Sequence, residues 1–172
     1  MKWHGLIKIL EITHLSKDKE ILWSATNLRN MMHLEGEAFI LNSLFVGGNV
    51  NNLYIPEYYY FGLDARASLA EDDGMADVES SEPSTNGYER QDISSTDQFT
   101  VSLASGVYRA ISPIITFSAS GGPWGTVKNL FLTNKNDYSG SLIASVPLTQ
   151  TISVASGESI NMRMGLSLKD CP

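Results

Sequence analysis

YRAISPIITFSASGG (108–122), PWGTVKNLFLTNKNDYSG (123–140), SLIASVPLTQTISVASGE (141–158) and SINMRMGLSLK (159–169) follow one another without a break. Each is a run of strand-forming residues leading to the Gly, Asn, Asp or Ser residues that reverse an extended backbone. Such segments in succession write an antiparallel β-sandwich, mainly β and jelly-roll-like. In the last segment Ile160, Met162, Met164, Leu166 and Leu168 fall on one face and Asn161, Arg163, Gly165 and Ser167 on the other, so that strand has one wet side. Leu130, Phe131 and Leu132 are consecutive, which predicts a strand near the middle of a sheet, with helix or hairpin on its back.

Working outward, Leu6 to Thr13 and Ile21 to Thr26 are apolar and extended, and the charged SKDKE at 16–20 turns the chain between them. This predicts an N-terminal β-hairpin over residues 1–30, beside a helix-plus-sandwich domain over 31–172. Two strands alone are marginal. The hairpin must therefore lie on the sandwich, on the following helix or on another subunit, and Trp3, Leu6, Ile7, Ile9, Leu10, Ile21, Leu22 and Trp23 are the apolar residues available for that contact.

From Met31 the apolar residues Met31, Leu34, Ala38, Leu41, Leu44 and Phe45 recur at three to four positions, with Glu35 and Glu37 early in the segment. That spacing predicts one amphipathic α-helix ending near Gly47 and Gly48. Tyr58, Tyr59, Tyr60 and Phe61 then read as a buried strand leading into GLDAR. The stretch 71–86 gathers Glu71, Asp72, Asp73, Asp77, Glu79 and Glu82 and reads as an acidic surface excursion with about one helical turn.

A chain of 172 residues fits one domain, and such a domain buries roughly 70% of its unfolded surface. The net charge of −7 disfavours nucleic acid and anionic lipid as partners. The lone Cys171 leaves no internal disulfide and no cysteine zinc site. No apolar run approaches bilayer length and the first residues do not read as a signal peptide.

Catalytic and metal chemistry find little footing. His4, His14 and His33 lack a carboxylate at ligand spacing, and EDDGMADVE misses the alternation, the sixth-position Gly and the twelfth-position Glu of a calcium loop. Asp64, Glu89 and Asp92 are the carboxylates a hydrolase would use, yet no His follows His33, and Asp64 with Arg66 reads as an ion pair at a strand end. The reading is therefore no enzyme, no cofactor and no metal.

Two motifs allow more than one reading. In GGPWGTVKN, Gly121, Gly122 and Gly125 frame a bend plugged by Trp124, which either caps the sandwich end or stacks on a sugar or a neighbouring subunit. In NGYERQ, Tyr88 and Arg90 follow an Asn-Gly turn and either pack internally or face a partner. With Trp3, Leu6, Ile7, Ile9, Ile21 and Trp23 they make up the candidate interface.

The order EGEAFIL, YYYFGLDARASLAEDDGMADV, EPSTNGYERQDIS, SGGPWGTVKNLFLT, SGSLIASVPL and GESINMRMGLSLKD resembles a family of small β-sandwich virion structural proteins of tailed bacteriophages, over residues 35–170 and most strongly from Gly87 onward. The resemblance implies a non-enzymatic subunit built into the particle, assembled in the host cytoplasm, holding other virion proteins and copies of itself. Neck or collar, tail and baseplate positions are expected first, capsid decoration second. A carbohydrate- or receptor-binding module, resting on Trp124 and the tyrosine run 58–60, is the reading from another class.

Overall fold

A computed structural model describes residues 6–43, 56–94, 98–104 and 107–167, and within them the chain forms two antiparallel sheets with two short helices. Sheet A runs in the order β2 (Ile21–Arg29), β1 (Leu6–Leu15), β11 (Ser159–Ser167), β7 (Val107–Ile111), β6 (Thr100–Ala104), with β8 (Ile115–Ser118) pairing β11 beyond β7. Sheet B runs β3 (Met31–Met32), β10 (Leu142–Val154), β9 (Gly125–Thr133), β4 (Tyr58–Asp64), β5 (Gln91–Ser94). The β-sandwich expected from the sequence is the fold observed.

The apolar alternation lands where it should. Ile160, Met162 and Met164 are buried on the inner face of sheet A, opposite Ile9 and Ile12 of β1, while Arg163 on the outer face lies near Glu11. Facing them from sheet B are Phe61, Leu63, Val127, Leu130, Leu132, Ala144 and Val146. Each of these side chains other than that of Ala144 stabilises the fold by about 1.5–3 kcal/mol when withdrawn from water.

The N-terminal hairpin forms as read. Ser16 closes its turn, its hydroxyl accepting from the amides of Asp18 and Glu20 at 3.2 and 3.1 Å, and Lys19 takes a positive φ of 67°. β1 lies between β2 and β11, so the hairpin is built into sheet A and β2 is its outer strand.

Two expectations need correction. The helix predicted from Met31 begins later: Met31–Met32 pair with β10 as β3, and α1 spans Leu34–Leu41 with Glu35 and Glu37 in its first turn. Leu44, Phe45, Gly47 and Gly48 lie outside the described residues. Nor is the apolar stripe the packed face. Leu34 and Leu41 are exposed and the only buried residue of α1 is Gly36, where a Cβ would stand 2.1 Å from the carbonyl oxygen of Ile143. A bare backbone at Gly36 lets α1 lie directly on β10.

The acidic excursion is more than a solvated loop. Its single turn α2 (Met75–Val78) buries Met75 and Val78, together with Leu69, against Phe131 and Leu142 on the outer face of sheet B. Leu130 and Leu132 face the inner core while Phe131 faces this second cluster, which accounts for the consecutive apolar residues. Across the ladder from Phe131, Gly62 leaves room for its ring, since a Cβ there would sit 2.1 Å from the ring carbon Cζ.

Candidate functional site

The carboxylates considered for hydrolysis do not gather. Asp64, at the end of β4, is fully buried: Oδ1 accepts from the Asn129 side chain at 2.9 Å and the Arg66 amide at 3.1 Å, Oδ2 accepts from the Ser81 hydroxyl, and Arg66 Nε lies 3.6 Å away. Those bonds tie the chain after β4 to β9 and to the excursion. Glu89 and Asp92 are exposed, Asp92 opposite Tyr60 on the β5 edge.

The histidines are likewise apart. His14 Nε2 on β1 is 2.8 Å from Glu158 Oε2, which also accepts from the Ala155 amide at 2.8 Å. His33, buried at the start of α1, shares a 2.8 Å hydrogen bond between Nε2 and the Ser145 hydroxyl, and burial holds its pKa below the ordinary imidazole value against a weaker opposing pull from Asp73. His4 lies outside the described residues. Among the described residues no three His, Cys, Asp or Glu side chains cluster as a metal site requires.

The charged residues of the excursion instead build a clamp. Arg90 meets Glu82 through two bonds, Nε to Oε1 at 2.9 Å and Nη2 to Oε2 at 2.6 Å, with both side chains buried. Its Nη1 donates to the carbonyls of Lys135 and Asp137 at 3.1 and 3.0 Å, and the guanidinium lies over the rings of Phe131 and Tyr138 at 5.3 and 4.7 Å. Tyr88 donates its hydroxyl to Glu82 Oε1 at 2.7 Å and accepts from the Leu63 amide at 2.8 Å. Burial first, and the Glu82 charge second, push the Tyr88 phenol well above its usual pKa, so it acts as a neutral donor. Of their two readings, Tyr88 and Arg90 take the internal one.

Trp124 packs edge-on against Tyr88 at 5.4 Å and donates its indole N–H to the Asn86 carbonyl at 3.0 Å. It is half-buried and caps one end of the sandwich. Tyr58 and Tyr60 lie at the other end: β4 runs antiparallel to β9, and Tyr60 stands opposite Thr133, at the far end of β9 from Gly125. The nine residues of β9 lie between the two. The aromatic residues offered for sugar stacking therefore form no single platform.

The remaining interface candidates divide by exposure. Ile9 belongs to the core and Trp23 is half-buried against it, whereas Ile21, with Leu22 beside it, is exposed where β2 leaves the turn. Leu6 and Ile7 lie on β1 in register with Ser167 and Leu166, and Trp3 is outside the described residues. A shallow cleft of about 530 Å³ opens between α1 and Ser139–Ser141. Its carboxylate is already engaged, Glu35 Oε2 accepting from the amides of Met75 and Leu142 at 3.2 and 2.7 Å. Sequence reasoning missed one exposed apolar group, Val101, Leu103 and Tyr108 on β6 and β7, whose signal was the alternation in Thr-Val-Ser-Leu-Ala. No described helix is long and apolar enough to cross a membrane.

A family model described as podophage GP4 fiber I protein gp80 matches residues 37–167, three quarters of the chain. The match starts inside α1 and ends on the last residue of β11, leaving the β1–β2 hairpin outside it. No curated protein matches this chain.

Proposed function

The chain belongs to the podophage GP4 fiber I protein gp80 family, a family of tailed-phage structural proteins, and from that premise we propose that it is a non-enzymatic subunit of the tail side of a virion, seated at or near a fiber and holding neighbouring subunits. The observation that carries this reading is the extent of the match, which takes in every strand from β4 to β11 and both helices apart from the start of α1. The buried polar groups support it, because Asp64, Glu82, Arg90 and Asn129 are all spent on bonds within the chain. What the molecule offers outward is edges and apolar patches, the features by which one subunit holds another.

Mass spectrometry of purified particles tests the reading: the chain is expected among the virion proteins at a stoichiometry above trace. Its absence from particles that are complete and infectious would remove the proposal. Particle cryo-EM then separates positions, since density on the capsid lattice would move the subunit from the tail to head decoration.

A further inference from the structure

Among the described residues, sheet B leaves one end of the inner face of sheet A uncovered. That face runs from Met164 to Leu166, crosses to Ala110 opposite Leu166 on β7, and reaches Val101 opposite Ala110 on β6. Residues directly opposite in an antiparallel pair share a face. Val101, Leu103, Tyr108 and Ala110 thus continue the core face, while Thr100, Ser102 and Arg109 lie on the other. Yet Val101 is 68%, Leu103 59% and Tyr108 67% exposed. Phe99, just before β6, is the last of the row to find cover, edge-on to Tyr59 at 6.5 Å.

β6 is also a sheet edge, and among the described strands it is the one without a defence. β3 has two residues; β5 has four, with Asp92 among them; β8 has four and lies beside β5. β2 shifts register with β1 between His14 and Leu15, and farther along it Asn27 has φ of 54°. β6 is five residues in unbroken register with β7, free of charge and proline. Natural edges carry such defences to stop strand pairing, so an edge without them is one that is meant to be paired.

The strand suits a copy of itself. Laid antiparallel about Ser102, Val101 falls opposite Leu103 of the second copy, Thr100 opposite Ala104, and both apolar pairs project to the same side. Charge permits the same occupant: chains of net charge −7 repel, and an uncharged strand is where two of them meet at least electrostatic cost.

We propose that β6 pairs antiparallel with β6 of a second copy about a two-fold axis at Ser102, joining two A sheets and closing Val101, Leu103 and Tyr108 into a shared apolar face. The inference deepens the structural-subunit reading and rests on it for the expectation that the chain self-assembles in the particle.

The test uses the full chain carrying Cys171→Ser with Ser102→Cys. Opposed residues of an antiparallel pair have Cα atoms about 4.5–5.5 Å apart, a span that a disulfide closes. Mild oxidation is expected to convert most of this variant to a covalent dimer on non-reducing gels, and a Thr26→Cys control on the β2 edge to give little. Equal cross-linking at both positions, or none at Ser102→Cys, overturns the pairing. Val101→Glu with Leu103→Glu provides the second arm: sedimentation is expected to show monomer with an unchanged circular dichroism spectrum, and a persisting dimer overturns the proposal. Particles that contain the chain without a 102–102 cross-link defeat this pairing alone. A cross-linked dimer of a chain absent from particles defeats the virion reading instead.

Discussion

The outer face of sheet B and the far end of the inner face of sheet A are both apolar surfaces beyond the central core, and the chain treats them differently. Over Phe131 and Leu142 it lays its own excursion, with Leu69, Met75 and Val78 buried and the Glu82–Arg90 pair holding the flank in place. Over Val101, Leu103 and Tyr108 the described residues lay nothing. The covered surface shows that an acidic segment can serve as a lid once its charges are bonded inward. The bare one shows that alternation in a strand states which face is apolar without stating who covers it.

The contrast breaks most readily at the clamp. Glu82→Ala leaves the Arg90 guanidinium buried without its carboxylate, and a loss of about 3–5 kcal/mol is expected, read as a lower urea midpoint. A midpoint equal to that of the parent chain would show that the pair does not fasten the excursion. Met75→Ala empties part of the second cluster and is expected to cost about 2–5 kcal/mol in the same assay. If that loss adds fully to the Glu82→Ala loss in the double variant, clamp and cluster act independently; a shortfall means that they open together.

A pH series sharpens the covered side further. Burial lowers the His33 pKa in the folded chain, so the unfolded chain takes up the proton first as pH falls below about 6.5. Stability from this site is complete above that pH and declines as pH drops toward the lower folded value. His33→Gln is expected to flatten the decline between pH 7 and pH 5 in urea unfolding, and parallel curves for parent and variant would assign the decline to other groups. The smallest effect belongs to the bare surface: Leu103→Ser is expected to move the midpoint of the monomer by within about 0.5 kcal/mol, because the side chain is already largely in water. A loss as large as that of Met75→Ala would place Leu103 in the core.

The strands were legible because period-two alternation and turn residues are local properties. Ile160 to Leu166 and the hairpin about Ser16 to Glu20 could be read residue by residue. The limits of α1 were not, because its spacing of apolar residues is helical whether or not they pack, and the residue that meets β10 is Gly36, invisible to any hydrophobic pattern. The clamp was half legible. Tyr88 and Arg90 stood out, but their shared partner Glu82 sat in a run of acidic residues of which it alone is paired to Arg90, a choice fixed by where Lys135, Asp137 and Phe131 bring their carbonyls and ring. The exposure of Val101 and Leu103 depends on how far the two sheets overlap, a property of the whole fold.

The pairing of Leu6 with Ser167, and of the rest of β1 with β11, sets a timetable for synthesis. β1 leaves the ribosome ahead of the other described strands and can make its hairpin with β2 at once, but its other edge has no strand to join until Ser159–Ser167 has been translated. At about 5–20 residues per second the nascent chain must keep Ile9 and Ile12 from other partners for roughly 7–30 s. Sheet A is thus completed by the latest of its own strands to be made, and its closure waits on the synthesis of Ser159–Ser167.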